Sequence, residues 1–393
     1  MSIASAIQNA QIKVANAYTA VSNKGGTLPA TQDLSNLPTA INSISGGTSF
    51  IGLQRIVGSN GVYQPPTSSH SFNFSVPSDA TKIGARSMQY AFFNCGGVTS
   101  VDLSSIVTID GQYALNCAFQ NCPNLTSVDL SSLTTVSGQY AMSYAFNSCT
   151  KLANLDLGSL TTVSNIQSME SAFNGCSNLE SVDLSNLSTV NGNNAMHYTF
   201  SRTGLTSVDL SNLSTVNGIN AMNSAFSVCS NLTSVDLSNL STVNGTNAMN
   251  SAFSTCSNLE SVLFTNLQTI GEDSSSANSG HFSSCFSGCS KLTTITFPNL
   301  EKIYCTGSGT NNNGTFSSNN YIQKMYFPKL DTITYGSGTS STNQNACKKV
   351  FYGCSALTEL HFASANQSAI EASPGYSTAW GRGAGNVTIY FDL

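Results

Sequence analysis

The sequence predicts an α/β repeat protein: a solenoid of about ten coils, with a helical segment at its N-terminus and a cap at each end. Three observations predict this fold. A Phe-x-x-Cys-x-x-Leu triplet recurs along the chain, its early copies are 26 or 27 residues apart, and a similar ladder of apolar residues follows each copy. A repeat of this length cannot bury its apolar face alone, so stacked repeats are expected to share one continuous core.

The phenylalanine of each triplet serves as an anchor for the repeat. The anchors are Phe92, Phe119, Phe146, Phe173, Phe200, Phe226, Phe253, Phe286, Phe316 and Phe351. The one spacing of 26 follows Phe200, where Thr203 and Gly204 replace the stretch that contains the cysteine. The last three spacings are longer, at 33, 30 and 35 residues, which indicates insertions in the C-terminal coils.

Each coil is expected to contain one strand and one short helical return. Apolar and polar residues alternate over residues 127–131, which is typical of a strand with one buried face. Before the anchor, Ala141, Met142, Ala145 and Phe146 are spaced three or four residues apart, which favours a helical turn.

The ends of the chain differ from the repeats. Residues 1–47 are predicted to be a helical attachment or oligomerisation segment, 48–82 an N-terminal cap, 83–362 the solenoid, and 363–393 a C-terminal cap in which Trp380 covers the last coil. A heptad seam in the first segment consists of Ile3, Ile7, Ala10, Val14, Ala17 and Val21. Such a seam could pair with copies of itself, or it could pack as an amphipathic helix on its own chain.

The repeats resemble the BspA-like leucine-rich repeat family, whose coils carry Phe-x-x-Cys-x-x-Leu followed by Leu-x-x-Ile-x-Leu-Pro. The proline of that family stands at Pro298 and Pro328 and is replaced by serine in most earlier coils. The resemblance covers roughly residues 83–362. It implies a leucine-rich-repeat-type solenoid and, commonly, adhesion or ligand binding. Residues 4–44, with Lys24-Gly25-Gly26-Thr27-Leu28-Pro29-Ala30-Thr31-Gln32, are similar to N-terminal modules on tail and fibre proteins of phages of gut bacteria.

Composition narrows the possible partners. Charged residues make up only 8% of the chain and the net charge is −5, so a large basic surface for nucleic acid is not expected. No run of 18 or more apolar residues occurs, so insertion into a membrane is not expected either. No signal peptide is apparent at the N-terminus. The expected location is therefore a phage virion or an extracellular surface.

An aspartate column is the first candidate binding site. It is formed by Asp102, Asp129, Asp156, Asp183, Asp209 and Asp236, which occupy the same outward strand position in six successive coils. In one interpretation the column is an acceptor-rich strip for glycans or cations, calcium among them, with no other cofactor implied. In the other, it is a solvated consequence of copying one repeat.

The C-terminal coils are the second candidate. The slot of the aspartates there holds Leu263, Thr296, Tyr326 and His361, a more aromatic set. The insertions, at residues 272–281, 306–315 and 336–345, all fall between the strand and the next anchor. Together with Tyr304, Tyr321 and Tyr335 they could form a loop-rich surface for a saccharide or a protein. Tolerated, unstructured loops are the alternative.

Metal binding and catalysis find little support in the sequence. His281, Cys285 and Cys289 have ligand-like spacing, but Cys289 occupies the inward repeat position, so no metal site is expected. Most of the twelve cysteines recur at that position, which favours reduced, buried thiols; Cys117, Cys305 and Cys347 lie off it and leave a disulfide between coils open. The histidines occupy different repeat slots and show no Ser/His/Asp arrangement.

These observations predict a non-catalytic adhesin associated with a phage tail or fibre. It would recognise a host-surface glycan or protein through the repeats and contact other virion proteins, with a homo-oligomer through the N-terminal helix as a further expectation. A bacterial cell-surface adhesin of the BspA-like type is the main alternative. A glycan-active enzyme is a remote one.

Overall fold

The computed structural model describes residues 72–76, 78–271, 281–305, 314–334, 347, 349–381 and 387–393. The predicted helix of residues 1–47 with its heptad seam lies outside these residues, and so do Tyr335 and most of each insertion. Within the described part of the chain, no helix has the length and apolar character needed to cross a bilayer.

Two rows of short strands run along the molecule. The first row contains β1 (Phe72–Ser75), β2 (Val98–Asp102), β4 (Ser127–Asp129), β6 (Asn154–Asp156), β9 (Ser207–Asp209), β11 (Ser234–Asp236), β13 (Ser261–Leu263), β15 (Thr294–Thr296), β17 (Lys324–Phe327), β19 (Glu359–Phe362) and β20 (Thr388–Phe391). The second row contains β3 (Thr108–Ile109), β5 (Thr135–Val136), β7 (Thr162–Ser164), β8 (Thr189–Asn191), β10 (Thr215–Asn217), β12 (Thr242–Asn244), β14 (Thr269–Ile270), β16 (Lys302–Tyr304) and β18 (Thr332–Thr334).

Every strand pairs in parallel with the equivalent strand of a neighbouring coil. The second row is one nine-stranded sheet from β3 to β18, whereas the first row divides into the sheets β1-β2-β4-β6, β9-β11-β13 and β15-β17-β19-β20. Equivalent residues therefore stack in columns, as predicted for a solenoid of about ten coils. The prediction of one strand per coil was wrong, because the strands of the second row are only two or three residues long, too short for alternation to distinguish them in the sequence.

In the coils with anchors from Phe92 to Phe253, the segment before the anchor is a run of overlapping turns, and the predicted helical return was wrong there. Over residues 84–95, every second backbone N–H donates to a carbonyl three residues earlier, as Ala91 does to Met88 at 3.0 Å. The N–H groups between them donate to the following coil, as Phe92 does to Ala118 at 2.7 Å. A helix would direct its hydrogen bonds within one coil, whereas this arrangement links neighbouring coils.

The backbone conformation of these turns repeats every four residues, which explains the helix-like spacing of apolar residues in the sequence. Arg86, Tyr90 and Asn94 have φ values of 57° or 58°, and positive φ recurs at the equivalent positions of later coils. This period of four returns apolar side chains to the core at nearly the 3.6-residue period of a helix. One α-helix, α1, spans Gln367–Glu371. It lies in the C-terminal cap, which also has 3₁₀ turns at Ser364–Asn366 and Tyr376–Gly381.

The anchor phenylalanines from Phe92 to Phe286 form a continuous ladder of rings through the core, and the stacking then continues from Phe282, one turn earlier than Phe286, to Phe316 and Phe351. Phe119 and Phe146 are parallel to within 2° with their ring centroids 5.2 Å apart, and the next pair is similar. At the C-terminal end, the buried indole of Trp380 lies against Phe351 and Phe362. Because aromatic rings of successive coils contact one another, through Phe282 at the step to Phe316, the apolar core is shared along the solenoid.

The cysteine of the triplet donates its S–H to the carbonyl of an anchor. The Sγ of Cys149 lies 3.1 Å from the carbonyl oxygen of Phe119, and the same contact recurs along the column. Two coils lack the cysteine. There the acceptor differs: Thr203 donates to Phe200, the anchor of its own coil, at 2.8 Å, and Asn319 donates to Phe316 of its own coil at 2.7 Å and to Phe282 of the preceding coil at 3.2 Å. The column thus requires a small or compact hydrogen-bond donor, which cysteine supplies at little cost in a buried position.

We expect Cys149→Ala to lower the free energy of unfolding by about 1–2 kcal/mol, through loss of this hydrogen bond and a small cavity. Cys149→Thr keeps a donor and should lose less. Urea unfolding followed by circular dichroism measures both. Equal losses of stability in the two variants would show that the hydrogen bond donated by the Cys149 thiol does not stabilise the protein.

Consecutive coils approach each other closely at a glycine column after the second strand. Gly218 has a φ of +119°, and a Cβ there would lie 2.7 Å from the backbone of Gly192. Real Cβ atoms do not approach backbone so closely, so glycine is required at this contact.

Candidate binding groove on the first strand row

The aspartate column lies along the first strand row, as the sequence predicts. Asp102, Asp129 and Asp156 are register partners on adjacent strands, and so are Asp209 and Asp236. Residues 181–183 form no strand and separate two of the sheets. Parallel strands lie about 4.8 Å apart, so the carboxylates recur at that spacing.

The strands of this row line a shallow groove of about 880 Å³. Every aspartate of the column except Asp236 contributes to its lining, Asp183 among them. Ser100, Ser127 and Ser207, two residues before their aspartates, line it as well. The groove thus presents alternating columns of hydroxyl and carboxylate groups, which together offer donors and acceptors to a polar ligand.

Each aspartate also has a structural role that the sequence analysis missed. Its Oδ1 accepts a hydrogen bond from the backbone N–H two residues later, at 3.0 Å from Ser104 to Asp102 and at 2.8 Å from Ser238 to Asp236. The same contact occurs in all six coils. This Asx turn ends the strand and directs the chain toward the second row. The recurring Asp-Leu-Ser sequence is the signal that could have identified it.

Local hydrogen bonds favour the ionised form of at least two of these groups. The hydroxyl of Ser104, followed by its backbone N–H, lowers the pKa of Asp102. The backbone N–H and the hydroxyl of Ser185 lower the pKa of Asp183. Neighbouring carboxylates at about 4.8 Å repel by about 0.9 kcal/mol in bulk water. A bound cation or hydroxyl-rich ligand would offset this repulsion.

In the last C-terminal coils, aromatic residues occupy the strand position that the aspartates hold in the earlier coils. Tyr326, His361 and Tyr390 are register partners on β17, β19 and β20. Their rings stack, with centroid distances of 4.4 Å and 4.6 Å. The sequence analysis identified Tyr326 and His361 but missed Tyr390, although the alternation of the closing strand places it in the outward position.

The His361 ring is held by internal contacts on all sides. Its Nδ1 lies 2.9 Å from Asp392 Oδ1, and its Nε2 lies 3.1 Å from Glu359 Oε2. The same Glu359 oxygen lies 3.0 Å from Lys324 Nζ, and Lys324 followed by His361 lowers the pKa of Glu359. Only 8% of His361 is exposed. These contacts occupy both ring faces and both nitrogens, so His361 positions its neighbours.

The remaining candidates do not join this surface. Tyr304 lies at the end of β16 in the second row, where it pairs with Thr334. Tyr321 lies three residues before β17 and is 43% exposed. The structure therefore separates tyrosines that the sequence grouped, because it did not reveal the second strand of each coil.

Ligand-like residues elsewhere are buried or paired. His281 and Cys285 have no exposed surface, and the described residues contain no group of three His, Cys, Asp or Glu side chains placed to hold a metal. All twelve cysteines are buried and unpaired, including those off the repeat position. His197 Nδ1 lies 3.4 Å from Glu170 Oε1 in the preceding coil, a pair that the sequence did not reveal.

The repeat architecture defines the class of protein. A model of the BspA type leucine rich repeat region matches residues 67–196, 142–278, 197–305 and 281–373. These matches span more than half of the chain, which therefore belongs to the BspA-type leucine-rich repeat family. None of them reaches residues 1–66, so the similarity of that segment to phage tail modules stays a prediction.

Three solved structures illustrate the similarity. A leucine rich cell surface protein from Faecalibacterium prausnitzii is 16% identical, with 77% of this chain and 91% of that chain covered and a TM-score of 0.25. The pneumococcal vaccine antigen PcpA is 13% identical, with 84% and 91% covered and a TM-score of 0.32. A leucine-rich repeat protein from Eubacterium ventriosum is 16% identical, with 75% and 73% covered and a TM-score of 0.32. No curated protein matches the chain.

Proposed function

We propose that the protein is a non-catalytic adhesin that recognises a host-surface glycan or protein through the groove on its first strand row. The observation that carries the proposal is the groove itself, in which a carboxylate recurs in five successive coils, in strand register over the first three, with a serine hydroxyl or the Asn154 amide two residues before each one. A row of identical groups at a constant spacing suits a ligand that also repeats along its length, and a surface polysaccharide has that property.

The chemistry of the groove favours a neutral or cationic ligand rich in hydrogen-bonding groups. Carboxylates accept strongly from hydroxyl and amine donors, and the serine hydroxyls can donate or accept. Calcium is coordinated by carboxylate and hydroxyl oxygens, so it could bridge the column and a ligand. Anionic ligands would be repelled by the column unless a cation intervenes.

We place the protein on a phage tail or fibre, attached through residues 1–47 to other virion proteins. The similarity of residues 4–44 to tail and fibre modules supports this placement. A bacterial cell-surface adhesin would use the same groove with a different attachment. Mass spectrometry of purified virions and of host cell envelopes separates the two, because the chain should occur in only one of these fractions.

Replacing Asp129 and Asp156 together with asparagine should weaken ligand binding about 10- to 30-fold, since two charge-assisted hydrogen bonds become neutral ones. Asparagine still accepts the Asx-turn hydrogen bond, so the fold should persist. Binding of the full-length chain to a glycan array and to whole cells, with and without calcium, measures the effect.

A matched control makes the same charge change away from the groove, with Asp79 and Asp331 replaced by asparagine. Equal weakening in both double variants would show an effect of net charge and would contradict the groove as the site. Binding that is lost only when the C-terminal insertions are trimmed would move the site there. Cleavage of a bound glycan would instead indicate an enzyme.

A further inference from the structure

The last strand of the first row, β20, is an edge strand of unusual composition. Its register partners all lie on β19, and no other strand of the described residues lies on its other side. Natural edge strands are commonly protected by lysine, proline or a bulge. β20 has the sequence Thr-Ile-Tyr-Phe, without any of these, and Tyr390 is 38% exposed.

The backbone of β20 alternates between its partner and its free edge. The N–H of Thr388 donates to the carbonyl of Thr358 at 2.8 Å, so Thr388 and Tyr390 direct their backbone groups toward β19. Ile389 and Phe391 therefore direct theirs to the opposite edge. Two residues on one strand thus offer hydrogen-bonding groups to an added strand.

A second copy of β20 fits this edge in one antiparallel register. If Tyr390 lies opposite Tyr390 of the second copy, then Ile389 lies opposite Phe391, and these are the residues whose backbone groups face the edge. The pairs of Ile389 with Phe391 become hydrogen-bonded pairs, and Tyr390 becomes the closer, non-hydrogen-bonded pair. Asp392 lies opposite Thr388, so no like charges face each other.

The side chains support the same register. Ile389 and Phe391 pack against the core, so their pairing would continue the apolar interior across the junction. On the outward face, Tyr390 already stacks on His361 with one side of its ring. The other side would meet the Tyr390 of the second copy. The stack of Tyr326, His361 and Tyr390 would then continue into the same three rings of the second copy, in reverse order.

We infer that two copies of the chain associate end to end through β20, in an antiparallel two-fold pairing centred on Tyr390. The interface is isologous, because the same strand contributes from each copy. In this dimer the two grooves lie on opposite sides of the β20 junction, and β1 of each copy lies on the side of its groove that is farther from the junction. This inference goes beyond the proposed function and does not depend on it, since it concerns assembly without any ligand.

A cysteine in place of Tyr390 tests the register directly. Opposite residues of an antiparallel non-hydrogen-bonded pair have Cα atoms about 4.5 Å apart, within the range that a disulfide spans. With oxidised glutathione as the oxidant, the two introduced thiols, one from each copy, would form one disulfide and the glutathione would be reduced to two thiols. All native cysteines are buried, so the new thiol should react selectively. We expect most of the full-length Tyr390→Cys protein to run as a covalent dimer.

Thr388→Cys is the matched control on the same edge. Thr388 lies opposite Asp392 in the inferred pairing, so this variant alone should give little cross-linking, whereas a mixture of Thr388→Cys and Asp392→Cys should cross-link. Equal cross-linking of the Tyr390 and Thr388 single variants would overturn the register. No cross-linking of any variant would overturn the interface.

Charge variants give a second test that keeps Tyr390 unchanged. Thr388→Asp places a carboxylate opposite Asp392 and should weaken dimerisation at least tenfold, and adding Asp392→Lys should restore it. Light scattering over a range of concentrations measures the dimer, and circular dichroism confirms folding. A wild-type chain that stays monomeric at high micromolar concentration, or a double variant that is not restored, would contradict the inference.

Discussion

Phe173→Ala should lower the free energy of unfolding by about 4 kcal/mol, the largest loss that we expect from a single substitution in this chain. Phe173 is completely buried and stacks on Phe146 at 5.3 Å and on Phe200 at 5.4 Å. Alanine would remove the ring contacts to both neighbouring coils and leave a cavity between rigid coils. The ladder cannot close over it, because backbone hydrogen bonds fix the distance between coils.

Urea unfolding measures the total loss, and hydrogen exchange shows where it falls. Because repeats interact only with their neighbours, we expect the loss of protection to be greatest in the coils around residue 173. Tyr352→Ala is the matched control, since it removes a similar ring from a site that is 53% exposed. It should cost less than about 1 kcal/mol. A comparable loss in the control would mean that ring stacking in the core is not what stabilises the coils.

His281 should make the protein less stable in acid. The ring is fully buried, and neither nitrogen forms a hydrogen bond of standard geometry within the described residues. Burial lowers the pKa of His281 to about 4, and a weaker, poorly aligned contact with the Gly245 backbone opposes this shift. In the unfolded chain its pKa is about 6.5. Between these values the unfolded state binds the extra proton. Stability is therefore complete above about pH 6.5 and falls by about 3 kcal/mol as the pH drops to about 4.

The difference between wild type and His281→Leu isolates this contribution, since other groups titrate in the same range. The leucine variant should lose less stability than wild type on going from about pH 7 to about pH 4, and at neutral pH it should be at least as stable, because two unpartnered nitrogens are removed. His197→Gln, at a histidine paired with Glu170, is the matched control. Parallel pH profiles for wild type and His281→Leu would show that His281 is not the acid-sensitive group.

The sequence predicted the stacking of coils correctly because that property depends on side chains with a strict period. The columns of Phe119, Cys122 and Leu125 each point inward in every coil, so their spacing reports the coil length directly. The family match over residues 67–373 agrees with this interpretation. Where a column changes residue, as at Thr203, the replacement still donates a hydrogen bond to an anchor carbonyl, here that of its own coil, so the frame survives.

The path of the backbone within a coil was harder to predict. A four-residue turn period and a helix period both place Ala141, Ala145 and Phe146 on one face, so apolar spacing alone could not distinguish them. The run of turns differs from a helix in having residues with positive φ, such as Tyr140 and Tyr144. Tyrosine is not a residue that sequence analysis associates with that conformation, so neighbouring coils impose it through their hydrogen bonds.

The candidate site was predicted in part. The outward direction of the aspartates follows from alternation, but their Asx turns depend on local backbone geometry beyond the strand. The aromatic residues were grouped by closeness in sequence, and Tyr304 separates from Tyr326 because it lies on a strand of the second row whereas Tyr326 lies on a strand of the first. A surface that combines distant coils cannot be assigned until the number of strands in each coil is known.

Because of the ladder of hydrogen bonds between coils, the length of the molecule is set by the number of its coils. Each coil advances the chain by one strand spacing, about 4.8 Å, whatever its loops contain. About ten coils therefore set the ends roughly 50 Å apart, and a duplication or loss of one 27-residue repeat would change that reach by a single step. Variation in the number of coils would adjust how far a binding surface stands from its attachment point without redesigning either one.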